Sequence, residues 1–401
     1  MKKELNVYHN DILAGRLQLN DHGRIEFSYT KDWLSRSNAQ QLSQSMPLQP
    51  EPIKAKQCRP FFAGILPEHS TRAWMAKHFR FSQYNDYALL DKIAGDCPGA
   101  VILKHASNPV DEPNYREMSD DELSGILDVL YSKPLLVGAE NLRQTLAGMQ
   151  DKIGVTIIDG KIHLPLNGAI SSHVIKPASL RFGGVVQNEA FCMKLAAAVG
   201  ISTAKIEARR AGSTEYLIVE RFDRIPYSNS YERVHQEDFC QALGVAPESK
   251  YQCDGGPRLA QCFELLHAAS SAPERDVDTL LRTVIFNYLI GNNDAHGKNF
   301  ALLYIEGGVH LSPMYDLIST MVYSNLSTRM SMKIGDNYQS TSITRRDWEK
   351  FAQVCKLNTD QVFAALKDMA SRVTTAAENL VQEYPTAHGI VDVINRRAVS
   401  T

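Results

Sequence analysis

Leu280, Leu281, Val284, Ile285, Tyr288 and Leu289 recur at helical spacing, and the run stops at Gly291. That repeat puts the six side chains on one face, so the segment predicts a buried helix. A glycine just past the end suits a left-handed C-cap. Eight polar or small residues follow, Asn292-Asn-Asp-Ala-His-Gly-Lys-Asn299. The chain must therefore carry a polar cluster at the end of a core helix. The apolar run Phe300-Ala-Leu-Leu-Tyr304 and the turn Glu306-Gly-Gly308 then predict a β-hairpin. Asp316 stands just beyond it, within Ser312-Pro-Met-Tyr-Asp-Leu317.

An Asp, an Asn shortly after it and a second Asp beyond a hairpin form the polar layout of a kinase catalytic loop and its metal-binding carboxylate. Asn, Asp and Gly are also the commonest turn formers. Alone, the spacing of Asp294 and Asn299 fits a plain connection equally well. A Walker-type phosphate loop is rejected. Gly291 to Lys298 holds one residue too many, Asn299 stands where a hydroxyl belongs, and a helix precedes it instead of a strand.

With 401 residues, 44% of them hydrophobic, the chain can form two or three domains with proper cores. A net charge of -2 argues against binding nucleic acid over the whole surface, but leaves room for a local basic patch. The 7 cysteines are scattered, with no CxxC pair or zinc-type cluster, and read as reduced thiols of a cytosolic protein. Lys2 and Lys3 precede no apolar stretch of signal-peptide type, and no run approaches membrane-spanning length.

In chain order, Leu5–His9, Ile12–Leu19 and Arg24–Tyr29 alternate apolar and polar residues and predict an antiparallel meander. Pro47 to Pro60 reads as a proline-interrupted loop, followed by helices near 71–79 and 86–94. Ser107 to Pro113 is polar with two prolines and marks a boundary. Ser119-x-x-Glu122 opens a helix to about Tyr131. Ile153–Ile158 and a second strand flank the hairpin signal Asp159-Gly160. Before them, Thr145-Leu-Ala-Gly-Met-Gln-Asp-Lys152 is either a simple turn or a segment bringing backbone N–H groups to phosphate oxygens. Lys176 ends a strand. Glu189 falls in the first turn of a helix to about Val199, where the helix dipole alone also favours an acid. Tyr216–Val219 is a strand ending at Glu220-Arg-Phe-Asp-Arg224, a segment suited to a hinge whose backbone meets an adenine edge and whose Asp223 meets a ribose. The rest reads as helical: Glu237–Leu243, Leu259–Ala269, Val277–Ile290, Arg346–Cys355 and Thr359–Glu383. Lys250-Tyr-Gln-Cys-Asp-Gly-Gly-Pro257 is a loop with no evident purpose. Ser319 to Tyr338 reads as a mobile segment or a long polar loop.

Taken together, these residues resemble the HipA family of serine/threonine kinases, the toxin half of HipBA-type toxin–antitoxin systems, over nearly the full length. Residues 5–103, with Arg59-Pro-Phe-Phe62, Leu66-Pro-Glu68 and Asp96-Cys-Pro-Gly-Ala100, are similar to the family's N-terminal subdomain. Ala147-Gly-Met-Gln-Asp-Lys152, Lys176-Pro177, Asn188-Glu189, Val219–Arg224, Gln236-Glu-Asp238, Asp254-Gly-Gly-Pro257, Asp294–Asn299 and Tyr315-Asp316 resemble successive motifs of its kinase core. The resemblance implies an α+β, bilobal protein-kinase-like fold with a PI3/4-kinase-like core. It divides into a small β-rich subdomain at 1–107, an N-lobe at 108–224 and a mostly helical C-lobe at 225–401. It implies ATP and Mg²⁺ as cofactors. Asp294 would accept or orient the target hydroxyl, and Asn299 and Asp316 would hold the metal. The ATP-binding set would be Ala147, Gly148, Met149, Gln150, Asp151, Lys152, Lys176, Glu220, Arg221, Phe222, Asp223, His296, Lys298, Asn299 and Asp316. Glu189 would pair with Lys176.

Two positions depart from the family pattern. Ala295 and Gly297 exchange the small residues of the usual Asp-Gly-His-Ala-Lys-Asn, and Thr145 replaces the usual regulatory serine. Thr145 is thus the expected autophosphorylation site, switching the kinase off by placing a doubly charged group beside ATP phosphates. The expected substrate is a protein of translation, such as an aminoacyl-tRNA synthetase. The expected partners are a HipB-like helix-turn-helix antitoxin and, mainly through it, operator DNA; no membrane is involved. The protein is expected in the cytoplasm, at the nucleoid when in the complex. Other readings are a co-repressor without kinase activity and a lipid or small-molecule kinase. Arg396, Arg397 and Lys367 are the local hints of a basic surface.

Overall fold

The computed structural model describes residues 4–105, 112–131, 133–136, 142–148, 150–228 and 230–399. The boundary expected near 107 and Met149 lie outside them. The chain forms two compact units. The first is Met1–Pro177 with Arg209–Glu248 and Leu303–Ile305; the second is Ala178–Ala208, Ser249–Leu302 and Glu306–Thr401.

The first unit contains two larger sheets and a two-stranded one, Arg224–Tyr227 with Ser230–Arg233. Strands β1 (Glu4–His9), β2 (Ile12–Leu19) and β3 (Ile25–Tyr29) form the expected meander. Strand β4 (Val101–His105) adds to the other side of β1, giving the antiparallel order β3-β2-β1-β4. Alternation along these strands sends Leu5, Val7, Leu17 and Phe27 into one core. The stretch read as a proline-interrupted loop ends instead in a helix, Ala55–Gly64, with Pro60 inside it. Proline costs roughly 3 kcal/mol in a helix interior. Here that cost is outweighed by burial of Cys58, Phe61 and Phe62 in the same core, each such aromatic or apolar side chain contributing about 1.5–3 kcal/mol. With helices His69–Phe79 and Asp86–Ile93 also present, this region is mixed α/β, not β-rich.

The second sheet has six strands in the order β5-β7-β6-β8-β10-β9. They are β5 (Asn114–Glu117), β6 (Ile153–Ile158), β7 (Lys161–Leu166), β8 (His173–Pro177), β9 (Ile206–Ala211) and β10 (Thr214–Glu220). β6 and β7 are joined through Asp159 at φ 51° and Gly160 at φ 77°, the positive pair a type I′ hairpin turn requires. Helix Asp120–Leu130, capped by the Ser119 hydroxyl accepting from the Glu122 N–H, packs Leu123, Leu127 and Leu130 onto this sheet.

In the second unit, helix Pro273–Ile290 buries Leu280, Leu281, Val284, Ile285, Tyr288 and Leu289, as the periodicity predicts. It begins earlier than expected because Pro273 occupies the first turn, where a missing N–H costs nothing. Helices Leu259–Ala269, Arg345–Val354 and Thr359–Leu380 follow the sequence reading closely. Beyond the break at Pro385 the chain forms a further helix, His388–Ala398, which the sequence reading did not include. The segment read as a mobile or long loop contains the hairpin Arg329–Ile334 with Asn337–Gln339. Its inward residues Met330, Met332 and Ile334 are buried, a period-2 signal that the surrounding Ser and Thr hide.

Candidate active site

Gly291 ends the Pro273–Ile290 helix at φ 70°, its N–H reaching the carbonyls of Asn287 and Tyr288. A Cβ there would lie 3.0 Å from both Met321 and Val393. The left-handed backbone and the close packing both call for glycine. The chain then turns through a ladder of side-chain bonds. Asn292 donates to Asn287 Oδ1 at 2.8 Å, and its own Oδ1 accepts from the Asp294 N–H at 3.1 Å. The Asn293 N–H donates to Thr320 Oγ1 at 2.9 Å, and its carbonyl accepts from the Ser331 N–H and hydroxyl at 2.8 and 2.9 Å. The backbone leading into Asp294 is thus held by Thr320 and Ser331.

Asn299 and Asp316 meet. The Asn299 amide donates to Asp316 Oδ2 at 3.0 Å, while its Oδ1 accepts from the His296 N–H at 3.0 Å. The Tyr315 hydroxyl donates to the Lys298 carbonyl at 2.7 Å and ties the two segments again. Asp316 itself adopts φ 59°, a left-handed conformation costing a non-glycine residue roughly 1–2 kcal/mol. Beyond it, Asn188 holds Ser319 by two bonds of 2.9 Å, Nδ2 to the carbonyl and Oδ1 from the N–H. His296, Lys298 and Asn299 are buried; Asp294 and Asp316 are half-buried.

These donors fit a hard divalent cation. Mg²⁺ takes one or two protein oxygens and completes its shell with waters and substrate phosphates. A carboxylate and an amide in contact supply such a pair, and Asn299 Oδ1 keeps a second lone pair beyond the one the His296 N–H uses. Among the described residues no group of three or more His, Cys, Asp or Glu side chains is placed to cage a metal.

The first unit contains the segment expected to cover phosphates. Gly148 sits at φ 106°, and the Lys152 ammonium donates to the Ala147 carbonyl at 2.6 Å. Gln150 Nε2 approaches the Pro177 carbonyl at 3.5 Å. Burial raises the Asp151 carboxyl above the usual carboxylate range. Lys176 is buried on β8 opposite Leu217. Thr145 is fully buried beside the Cys97 thiol, itself pushed up to about 11 by burial. In the second unit, Glu189 is 3% exposed on a helix that begins at Val185. It therefore lies past the first turn, and the dipole explanation for an acid there is corrected.

Glu220 and Phe222 are half-buried, but their neighbours serve another purpose. Arg221 and Asp223 are buried in an ion network with Asp96 and Arg224, with Arg233 at its margin. Asp223 also accepts from the Gly99 N–H at 2.7 Å and from Gln236 at 3.1 Å. Burial alone would raise its carboxyl; Arg221 and Arg224 outweigh that and hold it far below the usual range. With both oxygens so engaged, Asp223 is a structural residue of this unit, not a free ribose contact. Arg397 is likewise withdrawn from any basic surface, donating to the Tyr288 carbonyl with its guanidinium 4.6 Å from the Tyr288 ring.

One residue at the site was invisible in the sequence. The Tyr251 hydroxyl donates to Asp294 Oδ1 at 2.9 Å. Its loop had no assigned role, and its only signal was the compact Asp254-Gly-Gly-Pro257 that follows.

The site is a half-buried Asp beside an Asn–Asp pair that follows a core helix. The chain belongs to the HipA family. Residues 5–104 match the HipA N-terminal domain and 144–377 the HipA-like C-terminal domain. It is 41% identical over 386 residues to Y4mE of Sinorhizobium fredii, whose name calls it a kinase, covering 94% of this chain and 92% of that one. It is 27% identical over 395 residues to the serine/threonine-protein kinase toxin HipA of Shewanella oneidensis, covering 95% and 90%. The solved complex of Shewanella oneidensis HipA, HipB and operator DNA superposes with a TM-score of 0.86 at 25% identity, covering 98% of this chain and 96% of that one. Among the described residues no helix is long and apolar enough to cross a membrane.

Proposed function

We propose that the chain is an ATP- and Mg²⁺-dependent serine/threonine protein kinase, the toxin of a type II toxin–antitoxin pair. The observation that carries this is the Asn299–Asp316 contact at 3.0 Å beside a positioned Asp294. Asp294, oriented by Tyr251, accepts or orients the target hydroxyl. Asn299 and Asp316 hold the metal, which when bound offsets phosphate charge. Lys176 and the Ala147–Lys152 segment neutralise and cover phosphates. Phosphoryl transfer needs such positioning and charge offset more than covalent catalysis. The backbone at Glu220 to Phe222 seats the nucleoside. The family resemblance of the motifs suggests a translation protein as the target, and by likeness to the solved HipA–HipB–DNA complex a HipB-like antitoxin brings the chain to operator DNA.

Co-repression is the second reading, favoured by the HipA–HipB–DNA complex the chain resembles; it is compatible with the first. The test is a phosphoproteome comparison of cells expressing wild type and Asp294→Ala. Sites present only with wild type support the kinase; identical phosphoproteomes with equal growth arrest favour binding alone. Thr145 is proposed as the autophosphorylation site, and phosphopeptide mapping after incubation with Mg-ATP should find it modified. A bare Thr145 rules it out.

A further inference from the structure

We infer that Tyr251 is a positioning residue for Asp294; the inference rests on the kinase reading of the site. The segment Lys250–Pro257 carries no other role in the reaction, yet it is held at several points. The Tyr251 hydroxyl donates to Asp294 Oδ1 at 2.9 Å. Its ring stands edge-on to His296, centroids 5.4 Å apart at 74°, and the Lys250 ammonium lies 5.4 Å from its centre. Lys250 is only 3% exposed, so this cation is committed to the interior of the unit.

The backbone holds the ring in place. The N–H groups of Asp254 and Gly256 both donate to the Tyr251 carbonyl, at 3.0 and 2.9 Å. A Cβ at Gly256 would lie 2.3 Å from the Ser249 carbonyl and 2.6 Å from that of Tyr251, so only glycine lets the loop close this tightly. Gln252 Oε1 accepts from the Lys333 N–H at 2.9 Å, which fixes the loop to the Arg329–Ile334 strand. That strand also contains Ser331, which holds the Asn293 carbonyl. The loop and the Asp294 backbone are therefore referred to one strand.

This geometry has a chemical consequence. A carboxylate free to rotate presents either oxygen to a hydroxyl; a bond from Tyr251 to Oδ1 restricts that rotation and fixes the plane of the carboxylate, as in-line attack requires. Tyr251 touches neither substrate nor metal in this role. It acts through Asp294.

The test measures ADP formation from Mg-ATP with dephosphorylated casein as acceptor, using the full chain. Tyr251→Phe is expected to lower kcat about 10- to 100-fold, from the loss of a hydrogen bond to a charged group. KM for ATP should stay within about twofold, since Tyr251 acts on the orientation of Asp294 and not on nucleotide binding. In an Asp294→Asn background, whose residual rate comes from binding alone, adding Tyr251→Phe should cause no further loss. An unchanged kcat in Tyr251→Phe overturns the inference. So does a further loss in the Asp294→Asn background equal to that in wild type. If wild type itself transfers no phosphoryl group the kinase reading fails; if Asp294→Asn retains the full rate, the role of Asp294 fails and that of Tyr251 with it. An inactive Asp294→Asn beside an unaltered Tyr251→Phe removes only Tyr251.

Discussion

Replacing Asp96 with alanine should destabilise the first unit more than most single changes can. The Asp96 carboxylate accepts from the Ser171 N–H and hydroxyl at 3.0 and 2.5 Å, from Arg224 at 3.0 Å, from Arg221 at 3.2 Å and from Arg233 at 3.4 Å. It is 1% exposed. Three guanidinium groups face two carboxylates, and burial together with repulsion from Arg221 already brings Arg224 down to about 10. Without Asp96, Arg221 and Arg224 share Asp223 alone and Arg233 loses its carboxylate partner. Removing one partner of a buried pair costs about 3–5 kcal/mol. For a unit of this size each kcal/mol lowers Tm by roughly 2–4 °C, so Asp96→Ala should melt about 6–20 °C below wild type in calorimetry at pH 7. The gap should be pH-dependent. Burial would raise the Asp96 carboxyl, but Arg224, Arg221 and Arg233 outweigh it and hold it below its ordinary value. A depressed folded value gives stability that is present above the unfolded pKa, near 3.9, and is lost as pH falls through the folded one. The difference should therefore shrink below about pH 4. An Asp96→Ala transition within 2 °C of wild type at pH 7 refutes the reasoning.

Gly291→Ala must force φ 70° on a residue with a Cβ that meets Met321 and Val393. It should cost about 1–3 kcal/mol and lower kinase activity, since Asp294 hangs from this cap; chemical denaturation and ADP formation check both. Glu237 is fully buried, and burial raises its carboxyl to about 7 against hydrogen bonds from Ser43, Tyr304 and the Gln44 N–H. A raised folded value gives stability that is present below the unfolded pKa and is lost as pH rises through about 7. Tm of the wild type should fall between pH 5 and 8, and Glu237→Gln should flatten that slope; equal slopes would discount the burial.

The Pro273–Ile290 helix, its Gly291 cap, the polar loop, the hairpin and Asp316 were legible because their signals are local: period 3.6, a C-cap glycine and alternating strands. The helix Ala55–Gly64 was hidden by Pro60, whose penalty only tertiary burial could outweigh. The Arg329–Ile334 strand was hidden because its outward residues are polar on both flanks. Tyr251 could not be found, since its partner lies 43 residues away and nothing in either neighbourhood points to the other. The position of Asp223 after a strand suggests a nucleoside contact. Its true partners, Gly99 and the arginines it shares with Asp96, depend on a segment more than a hundred residues earlier.

The central claim is that Asn299 and Asp316 form a metal-dependent phosphoryl-transfer centre with Asp294. The direct measurement is transfer of label from γ-³²P-ATP, comparing wild type with Asp316→Ala and Asn299→Ala, each with and without Mg²⁺. Wild type should transfer label only with the metal, and both variants should lose at least about 100-fold while melting as folded proteins. Label transfer by Asp316→Ala at the wild-type rate, or by wild type in EDTA, would contradict it.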